Sequence, residues 1–458
     1  METMSDKLSA FAAALRYEDI PSQVIEKVKL HILDALGIGL ASTEENYAKG
    51  IVAVAREWGG APQATLLRYG DKLPAAHAAM VNGSLIHGID FDDTHTESIT
   101  HVSACVVPTA LAVGEAAGAG GKEILAAMVA GYEIIARVGG AMKGGFHAKG
   151  YHATPICGTF GAVAIAGSLW GHAPEVIANA MGTAGSQASG IQEFLDDGSW
   201  AKRFHPGWAC HAGITAAQLA GHGYLGPRKV FEGRFGLYAT HVQDREYDPE
   251  ALAGGFGERW ETLNISFKPY PCCHFNHAAM DAAKYLVREA GIRPEEIEAF
   301  EAVIPEPIAH LVCEPVEQKK KPESSYAALF SLPYCMALSA VKGRAELADF
   351  DEENLGDPEI LALAGKFSYI TVDSDRFPKY LHGGVRMKLA DGRTLEREEP
   401  VNWGNPENPM NRADVEEKFR GNAGRGLPPG RIQGVIDAVM NLDSRGGAAE
   451  VTAACRER

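Results

Sequence analysis

The chain lacks any stretch of the ~18 consecutive apolar residues that a membrane-crossing helix needs. The nearest, residues 159–171, is too short. Its first residues, Met1 to Lys7, show no basic region followed by an apolar one, so no secretory leader is expected. The eight cysteines, at 105, 157, 210, 272, 273, 313, 335 and 455, form no CxxC pair. That scatter excludes a zinc ribbon and a secreted disulfide framework, and a reducing cytoplasm is the expected home. Positive charge is scarce too: 43 Lys and Arg face 59 Asp and Glu, for a net charge of −16. Nucleic acid and anionic membrane are therefore not the expected partners. An anionic small molecule stays open, provided that a pocket gathers its cations locally.

What is present is an ordinary globular composition, 46% apolar and 22% charged over 458 residues. Such a length suggests two or three domains and a core that needs no staple. Most of the first 260 or so residues read as successive helices. Val24, Val28, Ile32 and Leu36 recur every four residues, and Ile124, Met128, Ile134 and Ile135 make a second stripe. Residues 159–169, 174–181 and 211–220 are rich in Ala and Gly, which lets helices approach closely. Near Asn264 the pattern changes. Residues 297–305 and 367–374 read as strands. Residues 385–389 alternate into Asp391-Gly392, which predicts a type I′ hairpin turn, and the arm 394–398 is polar. Residues 277–290 read as a helix, and 414–419 and 432–440 return to helix. The expected architecture is mainly α: an all-helical domain from 1–264 together with 404–458, and an inserted α+β domain over 265–403.

The densest polar cluster is DFDDTH at 90–95, followed by His101. Three carboxylates in four residues repel one another, so something must offset the repulsion. Three readings stay open: a metal site, acid–base chemistry by His101 with a carboxylate fixing its tautomer, or a helix cap with solvated acids. Residues 146–154 (FHAKGYHAT) form a basic, Gly-rich loop running into a buried helix. The free N–H groups at such a helix start attract anions; a surface loop is the plainer alternative. The loop lacks the GxxxxGK[ST] form of a nucleotide phosphate loop. Lys202, Arg203 and His205 place three cations just ahead of a small-residue helix, suited to a carboxylate or to an exposed turn. Lys268, His274 and His277 surround Cys272-Cys273 in a spacing that fits no familiar zinc site. Tyr334 reads as core unless its hydroxyl faces a cleft. Together these groups suit removal of a proton α to a carboxylate, followed by loss of water or carbon dioxide, or by epimerisation.

At these residues the sequence resembles the MmgE/PrpD family. The resemblance runs through VKLHILDALGIGLAS at 28–42, DFDDTH at 90–95, GYHATPICGTFGA at 150–162 and AKRFHPGWA at 201–209. It continues in KPYPCCHFNHAAMDA at 268–282, FSLPY at 330–334, NPENP at 405–409 and KFR at 418–420. It implies a large helical domain built from both chain ends, a smaller α+β lid, an active site between them and a homodimer, with no metal and no organic cofactor. It also implies a small polycarboxylate as substrate. Asp90, Thr94, His101, His152, Lys202 and Tyr334 match the family's catalytic positions. Lys202, Arg203, Lys268, His274 and His277 are the expected substrate-binding groups. In this reading His101 or His152 moves the α-proton, Asp90 orients a histidine, Lys202 holds a carboxylate and Tyr334 protonates a leaving hydroxyl. Dehydration of a 2-methylcitrate-like hydroxy acid leads. Decarboxylation of a cis-aconitate-like acid, epimerisation of an iminodisuccinate-like acid and an inactive ligand-binding dimer follow. Members commonly carry Arg where this chain has His274, a departure that leans toward a smaller or less charged acid.

Overall fold

The computed structural model describes residues 2–374, 376–377 and 380–457. The chain forms two compact units, one of Met1–Ile265 with Asn411–Arg458, the other of Ser266–Met410.

The first unit is helical. In the Ser22–Ser42 helix the stripe Val24, Val28, Ile32 and Leu36 is fully buried. The Ala153–Leu169 helix is apolar on nearly every side, as a helix buried all round must be. It packs against the Ser103–Ala117, Gly121–Gly140 and Ala201–Gly221 helices. Small residues set the closest approach. Where the Ala75–His87 helix meets the Ala201–Gly221 helix, a Cβ on Gly207 would collide with the Met80 carbonyl and the Ser84 hydroxyl. A Cβ on Gly83 would lie 2.9 Å from the Ala104 carbonyl oxygen and 3.1 Å from Gly207 Cα. The 201–221 helix begins about a turn and a half before Pro206 rather than after the basic cluster, so Lys202, Arg203 and His205 are helical. A proline that early removes one helix hydrogen bond and still allows the turn to form. The C-terminal segment rejoins this unit through Arg412–Gly426, capped by the Asn411 side chain accepting from the Ala413 and Asp414 amides. Phe419 of that helix fills the space left by Gly37.

The second unit holds a four-stranded mixed sheet in the order Phe367–Val372, Ile297–Pro305, Gly383–Leu389, Thr394–Glu399. The first pair is parallel and the others antiparallel. The His277–Ala290 helix covers the hairpin side, and the Leu332–Lys342 helix packs on it. Thr394–Glu399 alternates between exposed and half-buried, the wet face that its composition predicts. The hairpin turn corrects the sequence reading. Leu389 pairs with Arg393, so the loop has three residues, and only Gly392, at φ +89°, is left-handed. Asp391 keeps a negative φ, which makes this a type I turn with a glycine bulge rather than type I′. Among the described residues, no helix is long and apolar enough to cross a membrane.

Candidate active site

The 90–95 loop follows the Ala75–His87 helix in the first unit, and its three acids are all buried. Solvated caps they are not. Each carboxylate has its own partner, which answers the repulsion. Asp90 Oδ1 accepts from Lys202 Nζ at 2.6 Å. Asp92 lies between two imidazoles: Oδ2 is 2.8 Å from His87 Nδ1, and Oδ1 is 3.4 Å from His101 Nδ1. Asp93 accepts from the Ser103 amide at 3.0 Å and from the Ser103 hydroxyl, and lies 2.7 Å from His31 Nδ1. Behind the loop, Lys418 from the returning C-terminal helix donates to the Phe91 carbonyl at 3.0 Å and to Asp34 at 2.7 Å. Burial pushes the Asp34 carboxyl up to about 6 even against that ammonium.

Backbone strain marks the loop at both ends. Asp90 sits at φ +53° and so does Ile99, a β-branched residue for which the left-handed region is costly. The turn between them closes through His95 and Thr100 and delivers His101.

His101 is oriented on three sides. Its amide donates to Thr154 Oγ1 at 3.0 Å, its Nδ1 lies 3.1 Å from the Asp93 carbonyl oxygen, and Asp92 stands beyond. Both neighbours of Nδ1 are acceptors, so the ring hydrogen belongs on Nδ1 and the neutral ring presents a bare Nε2, 4.0 Å from Asp90 Oδ1. Burial alone would raise the Asp92 carboxyl, but the His87 and His101 imidazoles outweigh it and hold it well below the usual carboxylate range.

His152 stands immediately before the Ala153–Leu169 helix. Its ring lies 5.4 Å from that of His87 and 6.3 Å from that of His101, and its Nδ1 is 3.1 Å from His205 Nδ1. His147 packs edge-on against it at 6.3 Å. Burial drives His152 well below the ordinary imidazole value, helped by His87, Lys202, His205 and His147. Burial likewise brings His147 and His205 down to about 4. These rings are neutral at neutral pH. Thr94 is buried, with no hydrogen-bond partner for its hydroxyl among the described residues. Arg203 lies over the Tyr47 ring, 4.5 Å from its centre.

The structure thus brings Asp90, His101, His152 and Lys202 together. Asp92, His147 and His205, each part of a motif read from the sequence but given no role, join them, and so does His87, which was not singled out. His87 hides at the end of an apolar helix. His205 stands three residues from Lys202 on one face of the Ala201–Gly221 helix. His87, Asp92 and His101 each offer a ligand atom within 4.8 Å of one another. The 2.8 Å contact between His87 and Asp92 is a hydrogen-bond distance, shorter than the roughly 3.3 Å between two ligands around a tetrahedral zinc. As it stands, the group is a hydrogen-bonded pair with the His101 ring 3.4 Å from the second Asp92 oxygen.

The remaining candidates belong to the second unit. Lys268 is buried, and its charge acts on the Cys272 thiol. His274 and His277 have ring centres 4.7 Å apart; His274 Nε2 is 2.9 Å from Asn402 Nδ2, and His277 Nε2 is 3.3 Å from the Cys272 carbonyl oxygen. Tyr334, expected as a catalytic acid, is placed in the core of this unit. It is wholly buried, packs edge-on against Phe350, and donates its hydroxyl to the Asp349 carbonyl at 3.3 Å. Burial raises that hydroxyl above the usual phenol range.

Comparison with known proteins agrees with the motifs. Residues 6–250 match the MmgE/PrpD N-terminal domain, and residues 270–443 the MmgE/PrpD C-terminal domain. The chain is 28% identical to the cis-aconitate decarboxylase of Aspergillus terreus, over 94% of this chain and 92% of that protein. It is 27% identical to the cis-aconitate decarboxylase of Homo sapiens, over 97% and 92%. With the 2-methylcitrate dehydratase of Cupriavidus necator it shares 22%, over 93% and 91%. With both domains matched in order along nearly its full length, the chain belongs to the MmgE/PrpD family.

Proposed function

We propose that this protein is a lyase that decarboxylates an unsaturated polycarboxylate of the cis-aconitate kind. The bond to one carboxylate breaks and carbon dioxide leaves. Its electron pair forms a new double bond to the neighbouring carbon, while the old double-bond pair takes a proton at the far carbon. One proton is consumed for each carbon dioxide released. His101, protonated at Nε2, supplies it, and Asp92 stabilises the imidazolium. Lys202 opposes negative charge gathering on a substrate carboxylate as the bond breaks, and Asp90 fixes its ammonium.

The observation that carries acid–base chemistry is His101, held on two oxygen acceptors through Nδ1 so that Nε2 moves the proton. Two observations favour decarboxylation over the dehydration that the sequence alone put first. The decarboxylase relatives are the more similar, 27–28% against 22%. Tyr334, the expected donor to a leaving hydroxyl, is spent in the core. A homodimer belongs to the same reading, and sedimentation tests it.

Incubation with cis-aconitate, 2-methylcitrate, iminodisuccinate and an unsaturated dicarboxylate tests the assignment, following carbon dioxide, alkene absorbance and optical rotation. Carbon dioxide from cis-aconitate is the expected result. Water loss from 2-methylcitrate would restore dehydration. Release from the dicarboxylate alone would favour the smaller acid suggested by His274. Tight binding with no turnover on any acid would favour a ligand-binding dimer.

A further inference from the structure

Three imidazoles of the cluster keep a ring nitrogen with no hydrogen-bond partner among the described residues: His87 Nε2, His147 Nδ1 and His152 Nε2. His87 and His152 are buried, and their rings stack at 26°. Buried polar atoms left unsatisfied cost stability, so an arrangement that repeats the omission on three neighbouring rings is built to meet something.

The hydrogen count says what must come with it. His87 Nδ1 faces the ionised Asp92, an acceptor only, so His87 carries its hydrogen there and Nε2 is a bare lone pair. Between His152 Nδ1 and His205 Nδ1 one hydrogen is shared. A carboxylate brings lone pairs alone. It can meet a bare Nε2 only with a proton between them. The charges agree. Besides one another, the groups facing these rings are Asp90, Asp92, His101, Lys202 and His205. With neutral rings, one ammonium stands against two carboxylates, and Asp90 already holds that ammonium. A polyanion entering such a cluster adds like charge unless the rings take up hydrogen ions.

We propose that a polycarboxylate binds this cluster together with a proton, which settles on the His87, His152 and His205 rings rather than on Asp90 or Asp92. This rests on the polycarboxylate reading above and adds that loading the site also brings a hydrogen ion onto rings that neighbour His101, the His87 ring centre lying 4.9 Å from that of His101. The sign follows from linkage. The bound anion raises the ring pKa values, so affinity is highest at lower pH, falls by up to about tenfold per pH unit as pH rises from the free-state to the bound-state value, and levels off above it.

Calorimetric titration of the full-length protein with tricarballylate, a saturated tricarboxylate that cannot react by this route, decides the matter. It is run at pH 7 in two buffers of different ionisation heat. The expected result is uptake of about one proton per ligand, cut by about half or more in H87N and H205N. In H87N the amide still donates to Asp92 but does not titrate. Binding without proton uptake overturns the proposal and leaves the polycarboxylate reading standing. Uptake undiminished in both variants places the proton elsewhere and also overturns it. No binding of tricarballylate, citrate or cis-aconitate overturns the polycarboxylate reading itself, and the proposal with it. Melting curves check the variants, and the wild-type titration decides the sign even where one fails to fold.

Discussion

Each unit buries a polar cluster, and the two are completed to different degrees. In the helical unit, the 90–95 loop holds Asp90 in a strained conformation, and one ring nitrogen each of His87, His147 and His152 has no hydrogen-bond partner among the described residues. In the α+β unit, the buried Asp281 accepts from the Tyr270 hydroxyl at 2.5 Å, the Trp403 amide at 3.0 Å and Lys284 at 3.2 Å. Lys284 in turn lies over the Tyr285 and Trp403 rings. One cluster spends stability to stay receptive. The other is closed on itself and holds a fold together. Burial of charge is common to both clusters; incompleteness and strain are what single out the first as the candidate site.

Four measurements can break or sharpen this contrast. The largest effect is expected in H101A, where turnover of cis-aconitate drops by about three orders of magnitude with the melting temperature little changed. Unchanged turnover would remove His101 from the chemistry. D281N strips the closed cluster of its charge and should cost about 2–4 kcal/mol in denaturant midpoint, while the folded fraction keeps its kcat. A large loss of kcat without loss of stability would erase the distinction between the clusters. Third comes acid. His147 and His205 hold their protons with a folded-state value of about 4, because burial disfavours the cation. The unfolded chain binds them near 6.5, so stability is full above about pH 6.5 and declines as pH falls toward 4. A melting temperature flat across that window would mean that the rings are not buried neutral. The smallest effect belongs to Y334F, with turnover within about twofold and a cost near 1 kcal/mol. A hundredfold fall in turnover would return Tyr334 to the catalytic set.

Much of this was legible beforehand, for identifiable reasons. The strand Ile297–Pro305 and the helix His277–Ala290 begin and end where the pattern predicts, because apolar periodicity and the glycine after Ala290 agree locally. The helix at Ala201 was hidden by Pro206, whose local preference for a break is overruled by packing on neighbouring helices. Asp90, His101, His152 and Lys202 could be gathered from motifs. His87 could not, since nothing in an apolar helix end distinguishes a core histidine from one whose partner arrives five residues later. Tyr334 is the reverse case: a motif position whose side chain lies in the core, as its apolar surroundings alone would suggest.

The contact between Gly83 and Gly207 has a consequence for the chemistry. One helix of that crossing ends in His87, and the other starts with Lys202 and His205. Adding a single methyl group at 207 would wedge the two rods apart and open the gap across which imidazole, ammonium and acid must touch. The tuning of the reactive groups is thus delegated to a place with no reactive group in it, and selection for activity would be felt there as intolerance of the smallest possible side chain.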